Sequence, residues 1–419
     1  MSNRAAYQKT FKSRPFAISP GPMPSPKPHQ IVIKTRAIGI NPADAAVQNA
    51  GLVYAADAHP VILGFDIAGE VHAIGDAVTR FKVGDRVCAF PIDMGSHGEV
   101  ESKLAHGAFQ LYCVANEELA ARVPENVEFS EAAVFPSCLS TAAWALFTEE
   151  TMALDLPPVE GNATPNGKVV IVWGGSSVVG SCAIQMAHLA GYTVIATSSE
   201  LNFEHCRSLG AEAVFDYKSP SVVEDIIAAC KATGKECAGA FVAYYNDDST
   251  IACSQIVSQL DGSKVVGTVV PPNHPAAEGV AEGVKITSSK FPLPDPTHNP
   301  HLDRSIANIS TNIRLGSRPR LRARGSSSLA ALAHGGARRR QDEALSATRS
   351  PRARVGSAAG RCRCDVGEGA HAVRTEGRRG EEYQSEEVGG GDCVVADGDC
   401  FAAGEEDRGW LKGACGQAL

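Results

Sequence analysis

No apolar run in these 419 residues approaches the roughly 20 needed to cross a bilayer, which excludes a membrane-spanning helix. The opening, MSNRAAYQKTFKSRPF, is too polar for a secretory signal. Thirteen cysteines, at 88, 113, 138, 182, 206, 230, 237, 253, 362, 364, 393, 400 and 415, follow neither a disulfide framework nor a common zinc spacing. A reducing, cytoplasmic chain is therefore expected. Positive charge is not in excess either: the net charge is -8, which argues against general binding of nucleic acid or other polyanions. Lysine all but disappears late in the chain. Residues 291 to 419 hold eighteen Arg and a single Lys, Lys412, whereas the first 290 hold thirteen Lys and seven Arg.

What is present divides into three regions. Single cores stop growing at roughly 250 to 300 residues, so a chain of this length should carry two. From about residue 30 to 115, short alternating runs (IVIKTRA, GEVHAI, RVCAF, AFQLYCV) are broken by Gly, Pro, Asp and Asn, the pattern of a mostly antiparallel β domain. SEAAVF and SCLSTAAWALF then predict two short helices leading out of it. Beyond Gly167 near-continuous apolar strands alternate with amphipathic helices, several of them followed by Gly (191, 210, 234, 262). Such alternation predicts a parallel sheet covered on both faces, of the doubly wound kind. The expected division is residues 1–150 for the β domain, 151–290 for the doubly wound domain and 291–419 for the remainder.

The turn between the first strand and first helix of the second domain reads WGGSSVVG, residues 173 to 180. Unpaired N–H groups at a helix N-terminus, with the helix dipole behind them, make a seat for a diphosphate. Gly174 and Gly175 allow a tight turn, Gly180 lets the helix approach the sheet, and Ser176 and Ser177 add hydroxyls. Ser177 and Val178 stand where a stricter pattern would place a second glycine, so a bare βα connection is the competing reading. At the end of the next strand, ATSSELNF offers Thr197, Ser198, Ser199 and Asn202 as neutral donors for a ribose 2′-phosphate, which favours NADPH over NADH. Ser199 or Asn202 could equally be a helix N-cap, and Glu200 speaks for the opposite cofactor. Tyr217 could stack near an adenine or simply pack.

Six motifs in order, GINPADAAVQNAG, LGFDIAGEV, FKVGDRV, GAFQLYCV, LSTAAWAL and WGGSSVVG, resemble those of the medium-chain dehydrogenase/reductase superfamily. The likeness covers roughly residues 5 to 300 and is greatest to its zinc-free quinone-oxidoreductase and enoyl-reductase branch, especially fungal trans-acting enoyl reductases that serve polyketide synthases. It implies an α/β protein: a GroES-like substrate domain followed by a Rossmann domain, with NADPH between them. Zinc members need Cys and His ligands around one open position. By the same likeness Asn41 stands at the first Cys position, Phe65-Asp66 at a His-Glu pair and Ser137 at another Cys position, with Cys138 one place off as a small core residue. The lobe PIDMGSHGEVESKLAHGA has no cysteine, and His97 and His106 are expected in solvent.

Without a Lewis acid the chemistry implied is conjugate reduction, in which hydride passes from NADPH to an activated C=C bond of an enoyl thioester, enone or quinone. The resemblance places Thr141 near the nicotinamide and phosphates; a hydroxyl bonded back to its own helix is the competing reading. Asn41 either orients cofactor or substrate or marks a turn before Pro42, and Tyr54 is the candidate proton donor. The acceptor is a small molecule, a carrier-bound polyketide among the candidates, and the chain is expected as monomer or homodimer.

The third region does not fit. KITSSKFPLPDPTHNPHLDRSI is expected to begin the return to the substrate domain, after which periodicity is lost. Gly, Ala, Ser and Arg dominate 304–379 and acids dominate 380–419, a disorder composition that translation of a GC-rich gene out of frame would produce. Two alternatives follow: an inactive member that only binds NADPH, or a protein that grips polyanions through RPRLRARG and ARRR. The second lacks aromatics to stack on bases, since only Tyr383, Phe401 and Trp410 lie beyond the basic block.

Overall fold

A computed structural model describes residues 2–51, 54, 56–92, 104–158, 163–244, 246–269 and 278–288, together with the backbone of 393–396 and 399–402. His97, the basic block and, apart from 393–396 and 399–402, the acidic tail of the third region lie outside the described residues.

In the first domain β1 (Asn3–Gln8) pairs antiparallel with β2 (Ala17–Gly21). Next come β3 (Gln30–Gly39), α1 (Pro42–Ala50), the two-residue β4 (Val61–Ile62) and β5 (Asp66–Ile74). β6 (Arg86–Ala89), β7 (Tyr112–Asn116) and β8 (Ala120–Arg122) complete a five-stranded sheet in the order β7-β3-β5-β6-β8, and β2-β1-β4 form a smaller one. Every pairing in both sheets is antiparallel, as the alternation predicts. Ile31, Ile33, Ile62 and Ile67 fill the space between them, fully buried. The run AFQLYCV differs from expectation in its first half. Its strand starts only at Tyr112, because Gln110 turns inward and its side-chain amide donates to the carbonyls of Ala105, His106 and Gly107. His106 is buried against Gln30, not solvated.

Two helices lead out. α2 (Phe129–Ala132) is a single turn, whereas α3 (Pro136–Phe147) runs twelve residues with Pro in its first turn, where a missing N–H costs nothing. Ala142 through Phe147 are all buried, so α3 is apolar around its circumference and serves as core between neighbours.

β9 (Lys168–Trp173), α4 (Val178–Leu189), β10 (Thr193–Ser198), α5 (Phe203–Ser208), β11 (Ala211–Asp216), α6 (Val222–Ala232), β12 (Glu236–Val242), α7 (Asp247–Ser258) and β13 (Val265–Thr268) follow in strict alternation. With β14 (Lys285–Ser288) the sheet order is β11-β10-β9-β12-β13-β14, all parallel, so the strand order reverses direction beside β9. Separate apolar clusters cover its two faces, one with Val170, Val172 and Phe241, the other with Val169, Ile171 and Val242. One expectation is corrected here. KITS, Lys285–Ser288, does not begin the return to the first domain; it is β14, the sixth strand, aligned residue for residue with Val265–Thr268. Four residues of parallel ladder satisfy the edge of β13, and that pairing outweighs the weak apolar signal of the segment itself.

The chain divides into two compact units, residues 1–323 with 394–419, and residues 324–393. Strands β1 to β14 and helices α1 to α7 belong to the first. In the tail, Cys393–Ala396 and Asp399–Ala402 pair as a two-stranded sheet that no periodicity announced. Among the described residues no helix is long and apolar enough to cross a membrane.

Candidate active site

The Gly-rich turn sits where the sheet order reverses, at the carboxyl end of β9, the position at which open α/β sheets take ligands. Gly174 has φ +82, a left-handed conformation that only Gly adopts without strain, and a Cβ there would press on Tyr244. A Cβ on Gly180 would run into the Gly174 carbonyl, so α4 can start this close to the strand only with glycine at that position. Ser177 is the N-cap of α4. Its hydroxyl accepts from the Gly180 N–H at 3.0 Å and donates to the Gly174 carbonyl at 2.8 Å, so it is spent inside the turn and is not a free donor. Ser176 makes no hydrogen bond among the described residues, and Val178 is exposed on the first turn of α4.

The end of β10 corrects the expectation in the same way. Thr197 is fully buried, its hydroxyl accepting from the Gly174 N–H at 3.1 Å and its carbonyl from the Gly175 N–H at 2.8 Å. Thr197 therefore ties the second strand to the turn. Ser198 is buried and donates to the Ser199 carbonyl. Only Ser199 and Asn202 remain half-exposed, linked to each other by the Asn202 amide at 3.1 Å. β11 ends beside them, Ser198 pairing with Asp216, so Tyr217 and Lys218 follow at the same end of the sheet. Tyr217 is 44% exposed and packs into no core, and the Lys218 ammonium lies 5.7 Å from its ring centre. Nothing local marks a strand-end lysine such as Lys218; that β11 ends beside Ser198 comes from parallel pairing.

A nicotinamide dinucleotide fits this ground: a helix N-terminus approached through Gly174, Gly175 and Gly180, with Val178, Tyr217 and Tyr244 exposed around the carboxyl ends of the strands.

The positions discussed for zinc converge on a second cluster. Asp66, at the start of β5, is 0% exposed. Its Oδ1 accepts from the Ser137 N–H at 2.6 Å, and its Oδ2 accepts from the Ser137 hydroxyl at 2.7 Å and from Asn41 Nδ2 at 2.8 Å. Cys138 is a buried core residue as expected, and its thiol also lies 3.7 Å from Asn41 Oδ1. Asp44, in the first turn of α1 and also buried, accepts from the Asn41 backbone N–H at 2.7 Å. Burial pushes the Asp66 carboxyl up to about 6, against the pull of its Ser137 and Asn41 donors. Burial likewise lifts Asp44 to about 7, with Asp66 adding repulsion. Asp44 was not singled out from sequence, although an acid three residues after Asn41 is the capping-box signal for its place on α1.

This donor set does not suit a catalytic zinc. The carboxylate at its centre already accepts from three protein donors, and among the described residues no imidazole joins it. Among the described residues no group of three or more His, Cys, Asp or Glu could hold a metal ion. Thr141 takes the local alternative: its hydroxyl donates to the Ser137 carbonyl at 2.8 Å, one turn back on α3. Tyr54 is half-buried against the core of the first domain.

Comparison with known proteins agrees with this architecture. Residues 27–125 match the alcohol dehydrogenase GroES-like domain and residues 178–254 the zinc-binding dehydrogenase family. The dehydrogenase pigH of Monascus ruber is 40% identical over 278 residues, 65% of this chain and 73% of that protein. This chain belongs to the medium-chain dehydrogenase/reductase superfamily. It falls on the enoyl-reductase branch: the trans-enoyl reductase himH of Aspergillus japonicus is 37% identical over 262 residues, covering 62% of this chain and 72% of that one. A crystal structure of an alcohol dehydrogenase superfamily protein from Novosphingobium aromaticivorans shares the fold, with TM-score 0.54 and 24% identity over 73% of this chain and 84% of that one. Members of this superfamily are oxidoreductases that bind a nicotinamide cofactor.

Proposed function

We propose that the chain is an NADPH-dependent, zinc-independent reductase of activated C=C bonds, acting on an enone, a quinone or an enoyl thioester such as a carrier-bound polyketide. Residues 1–150 would serve the substrate and 151–290 the cofactor. The observation that supports this reading is the Asn41–Asp66–Ser137 cluster, in which the buried carboxylate already accepts three protein hydrogen bonds. Names of relatives such as himH point the same way.

When bound, the reduced cofactor supplies hydride. Every other contribution belongs to the chain. The N-terminus of α4, with Gly174, Gly175, Ser176 and Val178, holds the diphosphate; Ser177 and Gly180 hold the turn in shape. Ser199, Asn202 and Lys218 receive the 2′-phosphate, with Tyr217 beside the adenine. Lys218, beside Tyr217, would supply the positive charge for that phosphate. Thr141 and Asn41 border the nicotinamide side, and Tyr54 delivers the proton that completes reduction.

The test is titration of the full chain with NADPH and with NADH, followed by cofactor fluorescence and a parallel thermal melt, then turnover with a simple quinone and a simple enone. Tight NADPH-selective binding with NADPH consumed by either acceptor supports the reading. Equal affinity for both cofactors removes the NADPH assignment, and binding without turnover leaves only a cofactor-binding protein.

A further inference from the structure

Asn41 is more constrained than a residue that merely borders a ligand. Its Nδ2 donates to Asp66 at 2.8 Å, and its amide also faces the Asp44 carboxylate from within the same turn of α1. Both carboxylates accept only, when ionised, so they dictate which end of the amide faces inward. The end left over is Oδ1, which the capping box turns toward the Asp44 backbone N–H and which has the distant Cys138 thiol at 3.7 Å, leaving a lone pair for a ligand. Ser137 in turn grips Asp66 through both its N–H and its hydroxyl, from the first turn of α3.

We propose that Asp66 is a positioning residue: held by Ser137, it fixes the Asn41 amide with nitrogen inward, so that Asn41 offers the bound reactants a hydrogen-bond acceptor, its carbonyl oxygen. The inference rests on the reading of Asn41 as a site residue. It narrows that role, because an amide locked this way recognises an N–H or O–H donor, such as a carboxamide, and is not the group that stabilises an enolate oxygen.

The lock depends on charge. A protonated Asp66 must donate one hydrogen, which either the Ser137 hydroxyl oxygen accepts or the Asn41 amide does, the latter by rotating half a turn about its last bond. The titratable groups facing Asp66 are Asp44 from α1, Cys88 from β6, Cys138 from α3 and Cys182 from α4. Burial raises all three thiols, Cys88 and Cys182 to about 12, so across the acid and neutral range only the two carboxyls change charge. Among the described residues no cation pairs with Asp66.

The experiment is side-chain amide NMR on full-length protein labelled with 15N-asparagine, with the Asn41 signal assigned by its loss in Asn41→Ala. The Asn41 N–H pair should follow both carboxyls between pH 5 and 8 in the wild type. Ser137→Ala should shift the Asp66 step to higher pH, and Asp66→Asn should remove that step and leave only the one set by Asp44. An Asn41 signal that is static across this range, or that titrates identically in Asp66→Asn, overturns the proposal. Should Asp66→Asn show no cooperative melt, Ser137→Ala decides alone, an unchanged midpoint being the contrary result. With NADPH and a quinone at pH 8, Asp66→Asn should lower kcat roughly tenfold while KM stays within about twofold, the loss expected for one charged hydrogen bond. If the wild type turns over no acceptor, the functional reading fails, yet the amide titration still reads the position of Asn41.

Discussion

Ser137 holds both oxygens of the Asp66 carboxylate, Oδ1 through its backbone N–H at 2.6 Å and Oδ2 through its hydroxyl at 2.7 Å. A fully buried carboxylate survives in the core only because such donors replace the water it lost. Ser137→Ala should therefore cost about 2 kcal/mol at pH 8, where Asp66 is ionised, and far less at pH 4, where it is protonated. Urea unfolding at the two pH values measures the difference.

The two buried acids also set how stability varies with pH. Asp66 and Asp44 rise from their ordinary value of 3.8 to about 6 and about 7, so the folded chain keeps protons that the unfolded chain releases. Their contribution to stability is fully present below about 3.8 and is lost as pH climbs through 6 and 7. Stability of the wild type relative to Asp44→Asn should thus fall between pH 4 and pH 8, a direction opposite to that of ordinary ion-paired carboxylates. Denaturant midpoints across that range, for both proteins, provide the check.

Cofactor binding can be tested without disturbing the turn. Ser176 is half-exposed and spends no hydrogen bond within the described residues, and an acid near a helix N-terminus favours the helix. Ser176→Asp should leave the melting temperature unchanged in the absence of cofactor and weaken NADPH at least about tenfold, because the new carboxylate faces the phosphates. Fluorescence titration measures the affinity, and full retention of it would remove the diphosphate from this turn.

Selectivity should reside in Lys218. Lys218→Ala is expected to weaken NADPH roughly tenfold while leaving NADH within about twofold, since only the former carries the extra phosphate. Equal losses for both would place the lysine away from the 2′-position.

Metal should have no hold on this protein. Prolonged chelation, or added zinc, is expected to leave both the melting temperature and any NADPH turnover unchanged, because Asp66 already takes three protein donors. Elemental analysis after dialysis gives an independent reading.

Much of this organisation was legible in the chain. Apolar strands such as KVVIVW and TVIATS, alternating with helices followed by Gly191, Gly210 and Gly234, left little choice but a parallel sheet, because each element's apolar face had to be covered by the next. The glycines of WGGSSVVG were equally readable, since steric exclusion at Gly174 and Gly180 is a property of the backbone. β14 was misread because a four-residue strand has almost no period of its own and is defined by the neighbour it pairs with.

The fates of individual hydroxyls were decided only by tertiary structure. Thr197, Ser198 and Ser199 are near-equivalents along the chain, yet burial and the approach of Gly174 assign Thr197 to the turn and leave Ser199 half-exposed. Asn41, Asp66 and Ser137 lie 25 and 71 residues apart in successive steps and meet through the packing of α1, β5 and α3. Sequence determined the periodicities, and with them the antiparallel and parallel sheets and the glycine turn after β9, because those follow from local geometry. Which donor meets which acceptor depended on distances across the fold, and a hydrogen bond is satisfied only by the partner that arrives within about 3 Å.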